Sequence, residues 1–251
     1  MTTAKYIAKR TAITVVLIFF AVTALFFLFR LLPGDYIDYM VASGANPDQI
    51  EVLEERWGLN EPLHVQYVNY MSNLLTGDMG QSFRYRAPVV EVVGTAIRNS
   101  FILVAPAVTT AFLLGSLIGG VMGTQRGSKL EKYGIVPLTF IGTIPEFFTG
   151  IILIIIFAFW LNMFPTSGMT SILFSPDSFT ELILSADFWK HYFLPFLTII
   201  IQMLYYPSLL MRTNVVEVSG QDFMYYHRMK GIPKWRQLRH IMKHASLPVI
   251  T

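Results

Sequence analysis

Residues 217–248 read EVSGQDFMYYHRMKGIPKWRQLRHIMKHASLP, and this stretch decides how the rest of the chain is organised. It holds six of the 19 Lys and Arg residues and three of the five His residues. A strongly apolar segment precedes it, and Leu247-Pro248 begins another. A basic connection between two apolar segments is typical of the cytoplasmic side of a membrane protein. The stretch therefore predicts a membrane protein whose basic loop faces the cytoplasm.

The composition supports a membrane protein and excludes several kinds of site. The chain has 251 residues, of which 53% are hydrophobic and 14% are charged, whereas soluble domains carry about 25% charged residues. The net charge is +3, but the basic residues are clustered, so they indicate membrane topology and not nucleic-acid binding. Because there is no cysteine, disulfides, thiolate metal sites and a cysteine nucleophile are excluded.

Four segments are long and apolar enough to cross a bilayer, which takes about 20 residues. They are residues 11–32, 99–125, 133–161 and 191–211, and a fifth apolar segment begins near Leu247. The first could be taken for a signal peptide. Its apolar run exceeds the roughly 7–15 residues of such a peptide, and no small-residue cleavage site follows, so it predicts an uncleaved anchor.

The connections between these segments alternate in charge. The N-terminal tail has three basic and no acidic residues, and residues 33–95 have three basic and nine acidic residues. Residues 126–132 have three basic and one acidic, residues 162–190 one and three, and residues 212–244 seven and two. Since basic connections stay in the cytoplasm, this pattern predicts a cytoplasmic N-terminus and four spans.

Three parts follow from this topology: a tail with the first span (1–32), an extracytoplasmic helical cap (33–95) and a transmembrane core (96–251). In the cap, Asn46-Pro47-Asp48 predicts the start of one helix. Pro62 predicts the start of a second helix that ends at Gly77, and residues 78–83 predict a turn and a short extended piece. The cap either shields helix ends or forms a docking surface.

The chain shows no motif for covalent chemistry. A phosphate-binding loop, a zinc-protease motif, a hydrolase triad and a cofactor fingerprint are all missing from the sequence. It therefore predicts neither an enzyme nor a chain with its own cofactor or metal.

Three polar residues in or near the predicted spans are candidates for a translocation path. Glu146 is the only ionisable residue deep in a predicted span, where a charge costs about 2.5–3.5 kcal/mol on insertion scales. It therefore faces either a polar path or, beside Pro145, a hydrogen-bonded structural position. Gln202 and Arg98 are weaker candidates, and Arg98 is also placed to anchor a helix end at the membrane interface.

The basic loop predicts two short helices joined by a sharp corner. Asp222 to Lys230 can form one helix that Gly231 stops, and Pro233 can open a second. The second helix carries Trp235, Leu238, Ile241 and Met242 at the spacing of one apolar face. Such a corner is stiff enough to transmit force between a partner and the spans. The alternative is a basic loop that rests on anionic lipid.

The loop resembles the EAA loop of ABC-importer permeases of the peptide (DppB/OppB-like) branch. The matching pairs are Asp222-Phe223, Lys230-Gly231, Arg239-His240 and Leu247-Pro248. A second match lies in the outer segment, at Gly58-Leu-Asn-Glu-Pro62, Gln66-Tyr67 and Gly77-Asp78-Met-Gly80-Gln-Ser82-Phe83. Ile144-Pro145 and Arg30-Leu-Leu-Pro-Gly34 also fit. Tyr225-Tyr226-His227 depart from the family, because small residues usually stand there.

The resemblance implies an all-α polytopic fold, the type I ABC-importer transmembrane domain, here truncated before its last two spans. It implies an inner-membrane permease subunit for di- or oligopeptides that works by alternating access. The implied partners are a second permease, two ATP-binding cassette subunits that hold ATP and Mg, an extracytoplasmic binding protein and membrane lipid. The residues implied to dock on the ATPase are Asp222, Tyr225, Tyr226, His227, Lys230, Gly231, Ile232, Pro233 and Trp235.

Other functions stay open at this point. Permeases for nickel or another small solute belong to the same branch, so the substrate is not fixed. A self-sufficient channel or secondary transporter would need its own ion site or an inverted repeat, and the sequence shows neither.

Overall fold

The computed structural model describes residues 3–31, 58–82, 84–174, 176–246 and 249. The chain divides into two compact units, Met1–Val93 and Gly94–Thr251. The helix predicted to start at Asn46-Pro47-Asp48 and the apolar segment predicted from Leu247 lie outside the described residues.

The first unit contains two helices and a short hairpin. Helix α1 spans Thr3–Leu31 and α2 spans Leu63–Thr76, and strands β1 (Gln81–Ser82) and β2 (Ala87–Pro88) pair antiparallel. Helix α1 is long and apolar enough to cross a membrane, as predicted. Helix α2 begins after Pro62 and ends at Gly77, whose φ of +88° suits a residue without a side chain. These bounds confirm the predicted second cap helix, whereas strand β2 was not predicted.

Aromatic side chains hold α1 against α2. The ring of the buried Phe26 lies 5.3 Å from that of Tyr67 and 5.4 Å from that of Tyr70, centroid to centroid. The hydroxyls of Thr23 and Tyr67 share a hydrogen bond of 2.8 Å. The amphipathic helix α2 is therefore fixed beside the apolar helix α1 by one of its faces.

The second unit is built of helices. It takes in most of α3 (Val89–Thr124), then α4 (Lys129–Thr143), α5 (Glu146–Leu153) and the π-helical segment π1 (Ile154–Trp160). There follow α6 (Phe179–Leu184), α7 (Ala186–Met203), α8 (Tyr205–Ser219), α9 (Asp222–Met229) and α10 (Lys234–Ala245).

Three stretches of the described residues are long and apolar enough to cross a membrane: α1, α3, and α7 continued by α8. Helix α4 with α5–π1 meets the same test only as a pair, and the pair is bent by 101°. The sequence predicted one apolar span over residues 133–161, and the structure divides that segment into two helices at Pro145. Pro145 has no N–H, and Ile144 before it is extended (φ −80°, ψ 132°), so α4 must end.

The bend also changes the position of Glu146. The sequence placed it deep in a predicted span, but it is the first residue of α5 and its side chain is exposed. An exposed helix start is a cheaper place for a carboxylate than a helix interior, because the free N–H groups there favour negative charge.

Three glycines let α3 approach α8 closely. A Cβ atom added at Gly119 would lie 2.1 Å from the backbone oxygen of Ser208. At Gly115 it would lie 2.7 Å from the Pro207 side chain, and at Gly123 2.7 Å from that of Val215. These glycines recur every fourth residue along α3 and form a helix–helix contact in which only glycine fits.

Gly119→Ala is expected to lower the thermal stability of the purified protein, because the new methyl group meets fixed backbone. Overpacking of this kind costs about 1–3 kcal/mol. Gly94→Ala is the matched control, since the same change on the same helix meets open space and removes a helix glycine that costs about 0.5–1 kcal/mol. Equal melting temperatures for the two variants in detergent would contradict the close contact.

Candidate functional site

Helices α9 and α10, with residues 230–233 between them, form a two-helix corner. The amides of Lys230, Gly231 and Ile232 donate to the carbonyls of Tyr226, Arg228 and His227 at 3.0–3.1 Å. Gly231 has a φ of +65°, which L side chains rarely adopt. The side-chain Nε2 of Gln237 also donates to the Ile232 carbonyl at 2.6 Å. The predicted helix, glycine stop and second helix are therefore confirmed, and the backbone amides of residues 230–232 are all hydrogen-bonded.

A buried cluster fixes the two-helix corner to α8. Its buried members are Met211, Val215, Val218, Met224, Ile241, Ala245 and Val249. The Asn214 amide donates to the Ala245 carbonyl at 3.0 Å, and the Arg228 guanidinium donates to the Ser219 carbonyl at 3.0 Å. Because apolar burial and both hydrogen bonds oppose separation of these helices, the corner and α8 form one stiff piece.

The opposite side of the corner exposes large side chains. Tyr225, Tyr226 and Trp235 are 60–62% exposed. Of the other residues predicted to dock, Asp222, Lys230, Gly231 and Pro233 are exposed, while Ile232 is half-buried. An exposed aromatic patch beside a rigid core is typical of a protein–protein contact.

His227 differs from the other predicted docking residues. Its ring is half-buried, with its centroid 4.9 Å from the His240 ring and 5.6 Å from the Phe223 ring. His227 therefore packs inside the corner and is not part of the exposed patch. Two other exposed residues of the patch were not among the predicted docking residues. Met229, 71% exposed, and Leu238, 43% exposed, extend the patch. The helical spacing of Met229 from Tyr225 was the available signal.

A buried ion pair connects the start of α4 to α8, and sequence reasoning missed it. Glu131 is 6% exposed, and its Oε1 accepts from Nε of Arg212 at 2.7 Å and from a second guanidinium nitrogen. Its Oε2 accepts from the Gly127 amide at 2.6 Å. The Ser128 hydroxyl accepts from the Glu131 amide at 3.2 Å, so Ser128-x-x-Glu131 is a helix-capping signal that the sequence did contain.

Glu131→Gln is expected to destabilise the protein, because the Arg212 guanidinium loses its counter-charge while remaining half-buried. Glu217→Gln is the matched control, since Glu217 is exposed on the same helix as Arg212. We expect a clear fall in melting temperature for the first variant and little change for the second. A fall of the same size in both variants would show that the ion pair contributes no more to stability than an exposed carboxylate does.

Gln202 closes the bend between α4 and α5. Its Nε2 donates to the Ile144 carbonyl at 2.5 Å, and its Oε1 accepts from the Thr149 hydroxyl at 3.3 Å. The carbonyls at the end of a helix need such partners. The structure thus places Gln202 at the helix break, and its amide is occupied there.

A cleft of 390 Å³ lies beside this bend, and Glu146 is on its wall. Its polar lining residues are Glu146, Thr166, Ser167, His191 and Thr198, set among apolar ones such as Leu194 and Ile199. Nδ1 of His191 lies 2.9 Å from the Asp187 carbonyl, which fixes the ring. Of the three path candidates, Glu146 lines this cleft, whereas Gln202 is bonded at the helix break beside it and Arg98 is exposed on α3.

The fold and this arrangement define an α-helical, multi-pass membrane protein with a stiff basic corner. Residues 93–251 match the family described as "Binding-protein-dependent transport system inner membrane component", and residues 3–104 match its N-terminal counterpart. The chain belongs to this family. It is an inner-membrane permease component of an ABC importer of the peptide branch, which confirms the resemblance seen in the sequence.

Similar proteins of known assignment span nearly the whole chain. It is 30% identical over 251 residues to the oligopeptide transport system permease protein AppB of Bacillus subtilis, covering 99% of this chain and 77% of that protein. It is 28% identical over 247 residues to the glutathione transport system permease protein GsiC of Salmonella typhimurium, covering 98% and 75%. For GsiC of Escherichia coli K12 the identity is 29% over 234 residues, covering 92% and 71%.

Proposed function

We propose that this permease carries short peptides. One similar protein is named for oligopeptides and another for glutathione, which is itself a tripeptide. Both names support a peptide substrate over nickel or another small solute. The cleft beside Glu146 is compatible with such a substrate, because it sets a carboxylate, hydroxyls and an imidazole among apolar walls.

The observation that carries the mechanism is the stiff corner. Its exposed aromatic side, centred on Tyr225, Tyr226 and Trp235, is the surface that docks in a groove of an ATP-binding cassette subunit. ATP and Mg belong to two such subunits, a second permease supplies the other half of the path, and an extracytoplasmic binding protein delivers the peptide. This chain itself hydrolyses no ATP.

Movement of the corner passes to the spans through α8. The buried cluster joins the corner to α8, the glycine contact joins α8 to α3, and the Glu131–Arg212 pair joins α8 to α4. When the ATPase subunits close, α3, α4 and α8 shift together, and the side of the membrane on which the path is open changes.

The same proposal implies a membrane topology of four spans. The bent pair of α4 with α5–π1 crosses the membrane as one broken span, since only four spans put every basic connection on one side. The N-terminus and the corner are then both cytoplasmic. A membrane-impermeant thiol reagent that labels a cysteine introduced at Gly231 from outside intact cells would refute this orientation.

The function is tested by reconstitution in liposomes. The chain, purified with its copurifying subunits and given a binding protein, is expected to take up a radiolabelled tripeptide only when ATP is present. Uptake by this chain alone, without an ATP-hydrolysing partner, would overturn the proposal.

In that assay, Gly231→Pro is expected to abolish most uptake while ATP hydrolysis continues. Proline has φ near −65° and no N–H, so it can form neither the left-handed turn nor the hydrogen bond to the Arg228 carbonyl. Asp222→Lys is expected to act in the same direction, because it reverses a charge on the exposed start of α9. Membrane insertion is expected to be normal in both.

The matched controls are two alanine variants of the same loop. Gly231→Ala keeps the N–H but carries a left-handed backbone cost of about 1–2 kcal/mol, so a partial loss of uptake is expected. Gly220→Ala has an ordinary φ of −89° and makes only an ordinary contact, so uptake is expected to be unchanged. Full uptake by Gly231→Pro would refute the role of the corner.

Glu146→Gln is expected to change the rate or selectivity of peptide uptake without lowering thermal stability. The side chain is exposed on the wall of the cleft, so its charge meets whatever passes there. Glu91→Gln, an exposed carboxylate in the first turn of α3, is the control. If the variant takes up several tripeptides of different charge at the normal rate, Glu146 has no role in the path.

A further inference from the structure

A second cleft, of 720 Å³, lies within the first unit and shares no lining residue with the cleft beside Glu146. Its walls come from the last two turns of α1, from α2 and from the residues around β1. Because α1 is a candidate membrane span and Arg30 lies in its last turn, this cleft is at the level where the bilayer meets water.

The cleft is apolar at one end and charged at the other. Leu25 and Phe29 of α1 line it and are 48% and 67% exposed, so apolar surface is open on the side of the membrane. Arg30, Gln66 and Asp78 line it on the side of the water. The Arg30 guanidinium lies 5.5 Å from the centroid of the Phe26 ring, which holds it at this boundary.

Gln66 offers a buried acceptor that is unused within the described part of the chain. Its Nε2 donates to the carbonyls of Leu59 and Glu61, at 2.9 and 2.6 Å, and this fixes the orientation of the amide. Its Oε1 is buried and accepts no hydrogen bond from any of the described residues. A buried polar atom without a partner is costly, so a further donor at this position would stabilise the cleft. Asp78, whose Oδ1 accepts from the Gly80 amide, adds a negative charge to the same cleft.

We propose that this cleft binds a phospholipid with a primary ammonium headgroup, phosphatidylethanolamine. Arg30 binds the phosphate, the Gln66 oxygen and the Asp78 carboxylate accept N–H groups of the ammonium, and the acyl chains lie along Leu25 and Phe29. The pairing of one cation with two acceptors favours a zwitterion. Phosphatidylglycerol lacks the ammonium, and the quaternary ammonium of phosphatidylcholine has no N–H to donate.

Native mass spectrometry of the purified full chain with each of these three lipids tests the assignment. We expect phosphatidylethanolamine to bind about tenfold more tightly than the other two, the scale of one charge-assisted hydrogen bond. Asp78→Asn is expected to remove the preference over phosphatidylcholine. Arg30→Gln is expected to weaken all three lipids, while Arg30→Lys keeps the charge and retains binding, which separates a lost contact from a folding defect.

Two variants of the same unit serve as controls. Arg84→Gln and Glu61→Gln change exposed side chains that do not line the cleft, and both are expected to leave lipid binding unchanged. Soluble glycerophosphoethanolamine, which carries the headgroup without acyl chains, is expected to compete poorly.

Three results would overturn the assignment. Equal binding of the three lipids would remove the headgroup preference, and equal binding by the wild type, Arg30→Gln and Asp78→Asn would place the lipid elsewhere. Displacement of phosphatidylethanolamine by a zwitterionic dipeptide such as Ala-Phe would make the cleft a peptide site instead.

Discussion

The second unit depends on the close contact between α3 and α8. At Gly119 the backbone of one helix meets the Ser208 carbonyl of the other, and Ser208 and Val215 are completely buried there. Between apolar helices in a membrane, burial of apolar surface gives little driving force, so close packing must supply it. This contact sets the position of α8, and α8 in turn carries the two-helix corner.

Two different kinds of interaction join the corner to the neighbouring helices, and both resist separation of the parts they join. The apolar cluster around Met211 and Met224 excludes water and resists separation in every direction. The Glu131–Arg212 pair is directional, because three N–H groups converge on one carboxylate. In the proposed mechanism, the dense packing next to the corner and the directed bond at α4 are what would transmit a push on the corner to the helices.

Local signals predicted most of this fold, and long-range contacts were beyond them. Apolar length gave α1, α3 and α7, Pro62 and Gly77 bounded α2, and Gly231 and Pro233 gave the corner. The Glu131–Arg212 pair joins residues 81 positions apart, and Gln202 reaches Ile144 across 58. No spacing rule selects such partners, because their meeting is decided by how helices pack and not by the residues near either one. The cleft beside Glu146 was hidden for the same reason.

The break at Pro145 gives Glu146 a physical setting that composition could not reveal. Insertion scales assume an unbroken helix with the carboxylate in hydrocarbon. Here α4 ends at Thr143, Gln202 satisfies the Ile144 carbonyl, and Glu146 starts a new helix whose free N–H groups favour negative charge. The bend therefore lowers the cost of keeping a charge at this position. It also turns the charge toward a cleft, so the same proline that interrupts the span creates the polar surface beside it.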